Sequence, residues 1–219
     1  MNNKKLHLAI ALICLAIPFA YAAYLYPHLP ETIPTHFNLK GEADGFGGRD
    51  SIYLGPIIMA FAGLFTYFLL TNIKKLDPKR SAQVEDRLFQ NMALVTVIFL
   101  SALSLVILYM TIHPGVGIDK LLFPVMGLAF SVMGYFMPQL KQNYFAGFKL
   151  PWTLENEANW IATHKVAGKV WLYGGMVQIL AGLLLDSMPS FILFFASMIV
   201  MVLIPTIFSY RMFKNGNQA

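Results

Sequence analysis

Apolar positions in this chain gather into six long runs, residues 6–26, 52–73, 89–112, 118–137, 168–185 and 188–210, with the charged positions between them or at their ends. Each run is close to the ~20 residues that carry a helix across a bilayer. Backbone inside hydrocarbon has to satisfy its own hydrogen bonds, so the runs are expected to be helices. Membrane-spanning strands would show short alternating segments, and these runs do not alternate. The pattern predicts an all-α, polytopic integral membrane protein with six transmembrane helices.

Composition agrees. The chain is 57% hydrophobic and 12% charged, against about 45–50% and about 25% in soluble domains. Charge adds an orientation. The N-terminal tail, residues 74–90, residues 138–167 with Lys169, and the C-terminal tail hold 2, 5, 4 and 2 basic residues, 13 of the 16. By the positive-inside bias these segments, and with them both termini, are expected in the cytoplasm. The net charge of +5 is accounted for by that topology and gives no reason to expect direct nucleic-acid binding. The chain divides into an N-terminal two-helix unit, 1–75, with an extracytoplasmic loop at 27–51, and a four-helix unit, 76–219, with a cytoplasmic loop at 138–167. The first run follows a positive start and carries Ala20, Tyr21 and Ala22, a signal-peptide pattern. It continues apolar through Tyr24, Leu25 and Tyr26 and is read as a retained helix.

Within the runs, Pro18 and Pro205 are expected to kink the first and last helices. Gly174, Gln178 and Gly182 recur every four residues, which suits close helix packing with an amide bonded across the interface. The span interiors carry no Asp, Glu, Lys or Arg for a proton relay or ion path. Cys14 is the single cysteine, so no internal disulfide and no cysteine-rich metal site is expected.

The outer segment contains Pro27, Pro30 and Pro34, which disfavour helix. Ile33, Thr35, Phe37 and Leu39 alternate as a strand does. Lys40-Gly41 and Asp44-Gly45 are turn signals. One extended segment followed by a compact turn is expected. Glu42, Asp44 and Gly45 echo part of a calcium loop, but Lys40 and Ser51 stand where its first and last ligands belong. His28 and His36 lack the further ligands that zinc requires. Two readings stay open: a structural lid, or an external recognition surface shaped by His36, Asn38, Gly41 and Asp44.

In the inner segment Gly147 permits a tight backbone, and Pro151 pushes Leu150 toward an extended conformation. Thr153 or Asn156 can cap a new helix. Glu157, Trp160, His164, Ala167 and Trp171 then recur on one helical face, which predicts a short interfacial helix leading into the fifth span. Trp152 and Trp160 suit the headgroup level. Two readings again stay open: an aromatic anchor, or a binding face of Lys149, Trp152, Asn156, Trp160 and His164. Glu157 with His164, or His113 with Asp119, are the candidate acid–base pairs, and neither has a nucleophile or metal set beside it.

These segments carry a family resemblance. The run Asn143, Tyr144, Phe145, Ala146, Gly147, Phe148, Lys149, Leu150, Pro151, Trp152, Thr153, Leu154, followed by Asn156, Trp160, Thr163 and His164, resembles the signature of the SdpI family of bacterial membrane immunity proteins. Leu29-Pro30-Glu31-Thr32-Ile33-Pro34-Thr35-His36-Phe37-Asn38, with Gly41 and Asp44, resembles the domain of unknown function that often precedes it. Lys149-Leu150 stand where relatives often have Arg-Thr, and Lys lacks the planar fork of Arg. The resemblance implies a non-enzymatic protein of the bacterial cell membrane, without a cofactor. Its partners would be membrane lipids and a secreted, membrane-active peptide toxin, with a small DNA-binding repressor held at the membrane when toxin is sensed. The outer set His36, Asn38, Gly41 and Asp44 would face the toxin. The inner set Asn143, Gly147, Lys149, Pro151, Trp152, Thr153, Asn156, Trp160 and His164 would couple or bind the cytoplasmic partner. The alternative is a small-molecule permease or lipid-interacting protein with the loops as gates.

Overall fold

The computed structural model describes residues 3–38, 42–76, 86–113 and 115–216. Among the described residues six helices are long and apolar enough to cross a membrane: α1 (Asn3–Leu25), α2 (Leu54–Thr71), α4 (Asp86–Ile112), α5 (Ile118–Phe136), α7 (Glu157–Leu184) and α8 (Ser187–Gly216). Two short helices, α3 (Ile73–Leu76) and α6 (Pro151–Glu155), join them at one end of the bundle. The opposite end carries a hairpin of β1 (Thr32–Phe37) and β2 (Ala43–Gly48). The chain is thus a multi-pass membrane protein, as its hydrophobic pattern predicts.

α4 packs against α1 and α2 and also against α5, while α5, α7 and α8 pack among themselves. The α5–α7 seam is built on glycine. A Cβ at Gly127 would lie 2.4 Å from the Gly175 carbonyl oxygen, and one at Gly134 would lie 2.8 Å from that of Gly168. Gly168, Gly175 and Gly182 are seven apart, as are Gly127 and Gly134. This is the period that keeps one seam facing a partner helix. Gly174, Gln178 and Gly182 do not form a single stripe. Gly174 abuts Met201 of α8, and Gln178 donates Nε2–H to Ser197 Oγ of α8 at 2.8 Å, whereas Gly182 closes on Pro124 and Asp119 of α5. A four-residue repeat rotates around the helix, and here it rotates from one partner to the other.

The prolines inside α1 and α8, Pro18 and Pro205, are answered from a neighbouring helix. Proline removes the N–H that would bond the carbonyl four residues earlier. For Pro18 that carbonyl belongs to Cys14, and it accepts from Ser101 Oγ of α4 at 2.7 Å. For Pro205 it belongs to Met201, and it accepts from Trp171 Nε1 of α7 at 3.0 Å. Helices α1 and α8 therefore continue through their prolines with no carbonyl left bare at either point.

Two elements differ from expectation. The predicted interfacial helix and the fifth span are one rod, α7, which begins at Glu157 rather than at residue 168. Asn156 caps it by accepting from the Asn159 N–H at 2.9 Å, and nothing between Glu157 and Gly168 breaks the helix. On the other side, the extended segment is followed by a second strand. Asp44-Gly45 sits inside β2 opposite His36 rather than in a turn. Gly45 is required there because a Cβ would lie 2.9 Å from His36 Cβ. Leu39, Lys40 and Gly41 lie outside the described residues.

Candidate functional site

The hairpin end is anchored by Ile33, which is buried with Ala22, Ile52 and Leu108. Its register is irregular between Pro34 and Phe37, so the strand turns its polar side chains outward. His36 Nδ1 meets Asp44 Oδ1 at 2.5 Å with both side chains exposed. Asn38 donates from Nδ2 to Glu42 Oε2 at 2.9 Å and accepts from the Glu42 N–H at 3.1 Å. Three of the four predicted outer residues are thereby brought to one end of the hairpin, and Gly41 lies outside the described residues. Behind the hairpin, β1 and helices α2 and α4 enclose a groove of about 460 Å³. Thr35, His36, Gly55, Ile58, Ile107 and Thr111 are among its lining residues. At the base of the hairpin Tyr26 O–H donates to Asp50 at 2.5 Å, and Arg49 lies over the Tyr26 ring at 5.2 Å.

The motif end is organised from inside. Asn143 is wholly buried; its Oδ1 accepts from the N–H groups of Phe145 and Ala146, both at 2.8 Å, and its Nδ2 donates to Lys141 O at 2.8 Å. Gly147 has φ +106°, and a Cβ there would lie 2.1 Å from His164 Nε2. That nitrogen accepts from the Phe148 N–H at 3.0 Å, while Nδ1 faces the Trp160 carbonyl at 2.8 Å. An imidazole that donates from Nδ1 and accepts at Nε2 is neutral. Trp160 stacks on His164 at 4.1 Å and donates Nε1–H to Leu140 O at 2.7 Å. Thr153 Oγ1 donates toward the Phe148 and Leu150 carbonyls and accepts from the Leu150 N–H at 3.0 Å. Leu150 is extended, with φ −92° and ψ 150°, as the following proline requires.

The predicted inner set therefore divides. Asn143, Thr153, Trp160 and His164 are buried and hold the loop together, so neither Trp160 nor His164 is presented to a partner. Burial follows from their bonds, since each of the four side chains meets backbone groups of residues 140–150. Lys149, Pro151 and Asn156 are exposed. Trp152 is half-buried and crosses to α8, donating Nε1–H to Ser209 Oγ at 2.5 Å and stacking on Phe213. Asn159 reaches the same residue, donating Nδ2–H to Ser209 O at 2.9 Å. Neither acid–base pair forms. Glu157 is exposed while His164 is enclosed, and His113 stacks on Tyr109. Asp119 is buried, accepts from Ser187 Oγ at 3.0 Å and lies 3.8 Å from Lys120 Nζ.

Residues 139–209 match the model of the SdpI/YfhL protein family, and residues 13–60 match a domain of unknown function, DUF1648. Over residues 139–209 the chain is similar to the SdpI/YfhL family. The first match covers the inner motif with α7 and most of α8; the second covers most of α1, the hairpin and the start of α2. Immunity protein SdpI of Bacillus subtilis (strain 168) is 28% identical over 214 residues, 98% of each chain. An uncharacterized protein of Archaeoglobus fulgidus is 38% identical over 61 residues, 28% of this chain and 33% of that one. No solved structure matches the chain.

Sequence reasoning missed Ser209 and Gln142, and it did not give Ser101 and Trp171 their roles opposite Pro18 and Pro205. Ser101 and Trp171 had a readable signal, because Pro18 and Pro205 each leave the carbonyl four residues earlier in need of a donor. Gln142, whose Nε2 donates to Thr153 O and Leu154 O at 2.8 Å, had none.

Proposed function

We propose that this chain is an immunity protein, protecting a bacterium from a secreted, membrane-active peptide toxin. The observation that carries the reading is the end-to-end relatedness to a protein named for immunity, over 98% of both chains. The groove behind the hairpin supports it. Strand β1 forms its rim, and its floor is apolar helix surface of α2 and α4. A peptide whose own chemistry is apolar would meet His36, Asn38 and Asp44 on arrival. In this reading the hairpin faces outward and both termini lie inside, in line with the distribution of Lys and Arg.

A finer part of the proposal concerns the other end. Toxin docking would bias the arrangement of α7 and α8, and the exposed Lys149 and Asn156 would then hold or release a small repressor protein. Such coupling requires that toxin bind one arrangement better than the other. Support comes from the direct link between motif and helix, where Trp152 and Asn159 both bond Ser209. Transport is not favoured by any particular observation. Several of the bundle's polar side chains bond helix to helix, as in Ser101 with Cys14, Ser131 with Leu172 and Gln178 with Ser197.

Survival tests the proposal. The chain is expressed in a toxin-sensitive bacterium, secreted peptide toxins are added, and viability and membrane potential are followed. Retained potential, lost when Gly55→Phe fills the groove, is the expected result. Equal killing with and without the chain, at verified membrane expression, overturns immunity to those toxins.

A further inference from the structure

Beyond immunity, we infer that the motif end binds the headgroup of an anionic phospholipid in a pocket between Trp152 and the last turns of α8. The pocket holds about 630 Å³, within the roughly 300–1,000 Å³ of small-molecule sites. Its walls include Trp152, Thr206, Tyr210, Arg211, Lys214 and Asn215. On α8, residues 206, 210 and 214 are spaced by four and share a helical face.

Three observations specify the occupant. The first is charge. Arg211 and Lys214 are exposed, and among the described residues no salt bridge forms to either. Two cations three residues apart on a helix are neighbours, and a guanidinium offers a phosphate two parallel donors where an ammonium offers a point charge. The second is the wall. Trp152 is held in place by its bond to Ser209 Oγ and by its stack on Phe213, with the Tyr210 ring edge-on at 5.5 Å. The pocket side is thus fixed before a ligand arrives. The third is depth. α8 as a whole is an apolar span, and the cations occur in its last two turns, the level at which long basic side chains reach the headgroups. A phosphodiester at Arg211 and Lys214 would leave its acyl chains beside the apolar face of α8, with Tyr210 and Trp152 at the boundary.

The test uses the full chain in detergent. A short-chain phosphatidylglycerol is titrated as the probe, against phosphatidylcholine of the same chains and against inorganic phosphate, with binding read by native mass spectrometry. Saturable binding of phosphatidylglycerol, about tenfold or more tighter than phosphatidylcholine, is expected from two basic contacts. Arg211→Gln with Lys214→Gln abolishes that preference, and Thr206→Trp, which narrows the pocket without touching charge, weakens it. Lys141→Gln with Lys165→Gln leaves it intact. Equal affinity for the two lipids overturns the inference. So does an equal loss in both double variants, which would assign the effect to general surface charge, or competition by inorganic phosphate at the lipid's own concentration, which would assign the pocket to free phosphate. None of these outcomes depends on toxin, so failure here leaves the immunity reading untouched.

Discussion

The two ends of the bundle solve the same problem in opposite ways. Each has to hold an irregular connection against a set of apolar helices. At the motif end the polar side chains point inward, and Asn143, Thr153, Trp160 and His164 pin the backbone of residues 140–150 from within. At the hairpin end the polar side chains point outward, and the connection rests on Ile33 seated among Ala22, Ile52 and Leu108. Buried polar groups left unpaired are costly, so a network of them tolerates one arrangement and few others. Exposed pairs such as His36–Asp44 contribute little to stability. Sequence prominence therefore means different things at the two ends: at the motif it marks scaffold, and at the hairpin it marks surface.

The largest break in this comparison is expected from Trp160→Ala. Removing a buried aromatic of this size costs about 3–5 kcal/mol, and it also frees the Leu140 carbonyl. The melting transition in detergent should fall by roughly 10 °C, on the order of 2–4 °C per kcal/mol. An unchanged transition would mean that the motif is not the scaffold described here. Gly147→Ala comes next. It forces a side chain into positive φ and into His164, and strain of this kind costs ~1–3 kcal/mol; the same thermal measurement checks it. Trp152→Phe keeps the ring stack and loses one hydrogen bond, worth about 1 kcal/mol. Its signature should be faster amide exchange in the last turns of α8 with the rest of the chain unaltered. His36→Ala is the sharpest contrast: the melting transition should not move, while protection from toxin falls. A large loss of stability in H36A would place the hairpin in the same class as the motif.

Much of the architecture was legible. The six spans could be read because length and apolarity are what a bilayer demands of a helix. The start of α7 was hidden by its own chemistry. Trp160, His164 and Asn159 look interfacial when their partners are unknown, and those partners lie on the preceding loop and on α8. β2 was hidden because Ala43–Gly48 is rich in glycine and has little strand character of its own; it is a strand because β1 pairs with it. The glycine seam was available at a spacing of seven, but Gln178 drew the reading to a spacing of four. Of the inner motif, the backbone of Gly147 and Leu150 and the cap at Asn156 were correctly anticipated. The inward direction of Trp160 and His164 was not, since hydrophobic pattern alone does not tell a buried network from a polar surface.

The indole of Trp171, donated to a carbonyl that Pro205 leaves free, acts as a locating pin between two rods. Sliding or turning α8 past α7 would strip that oxygen of its partner in a medium with no water to replace it. The pair thus loses its sliding freedom and keeps only motions in which both rods travel together. If a signal crosses this bundle, its moving part is α7 and α8 as one lever, and the natural fulcrum is the glycine seam on which α7 bears against α5.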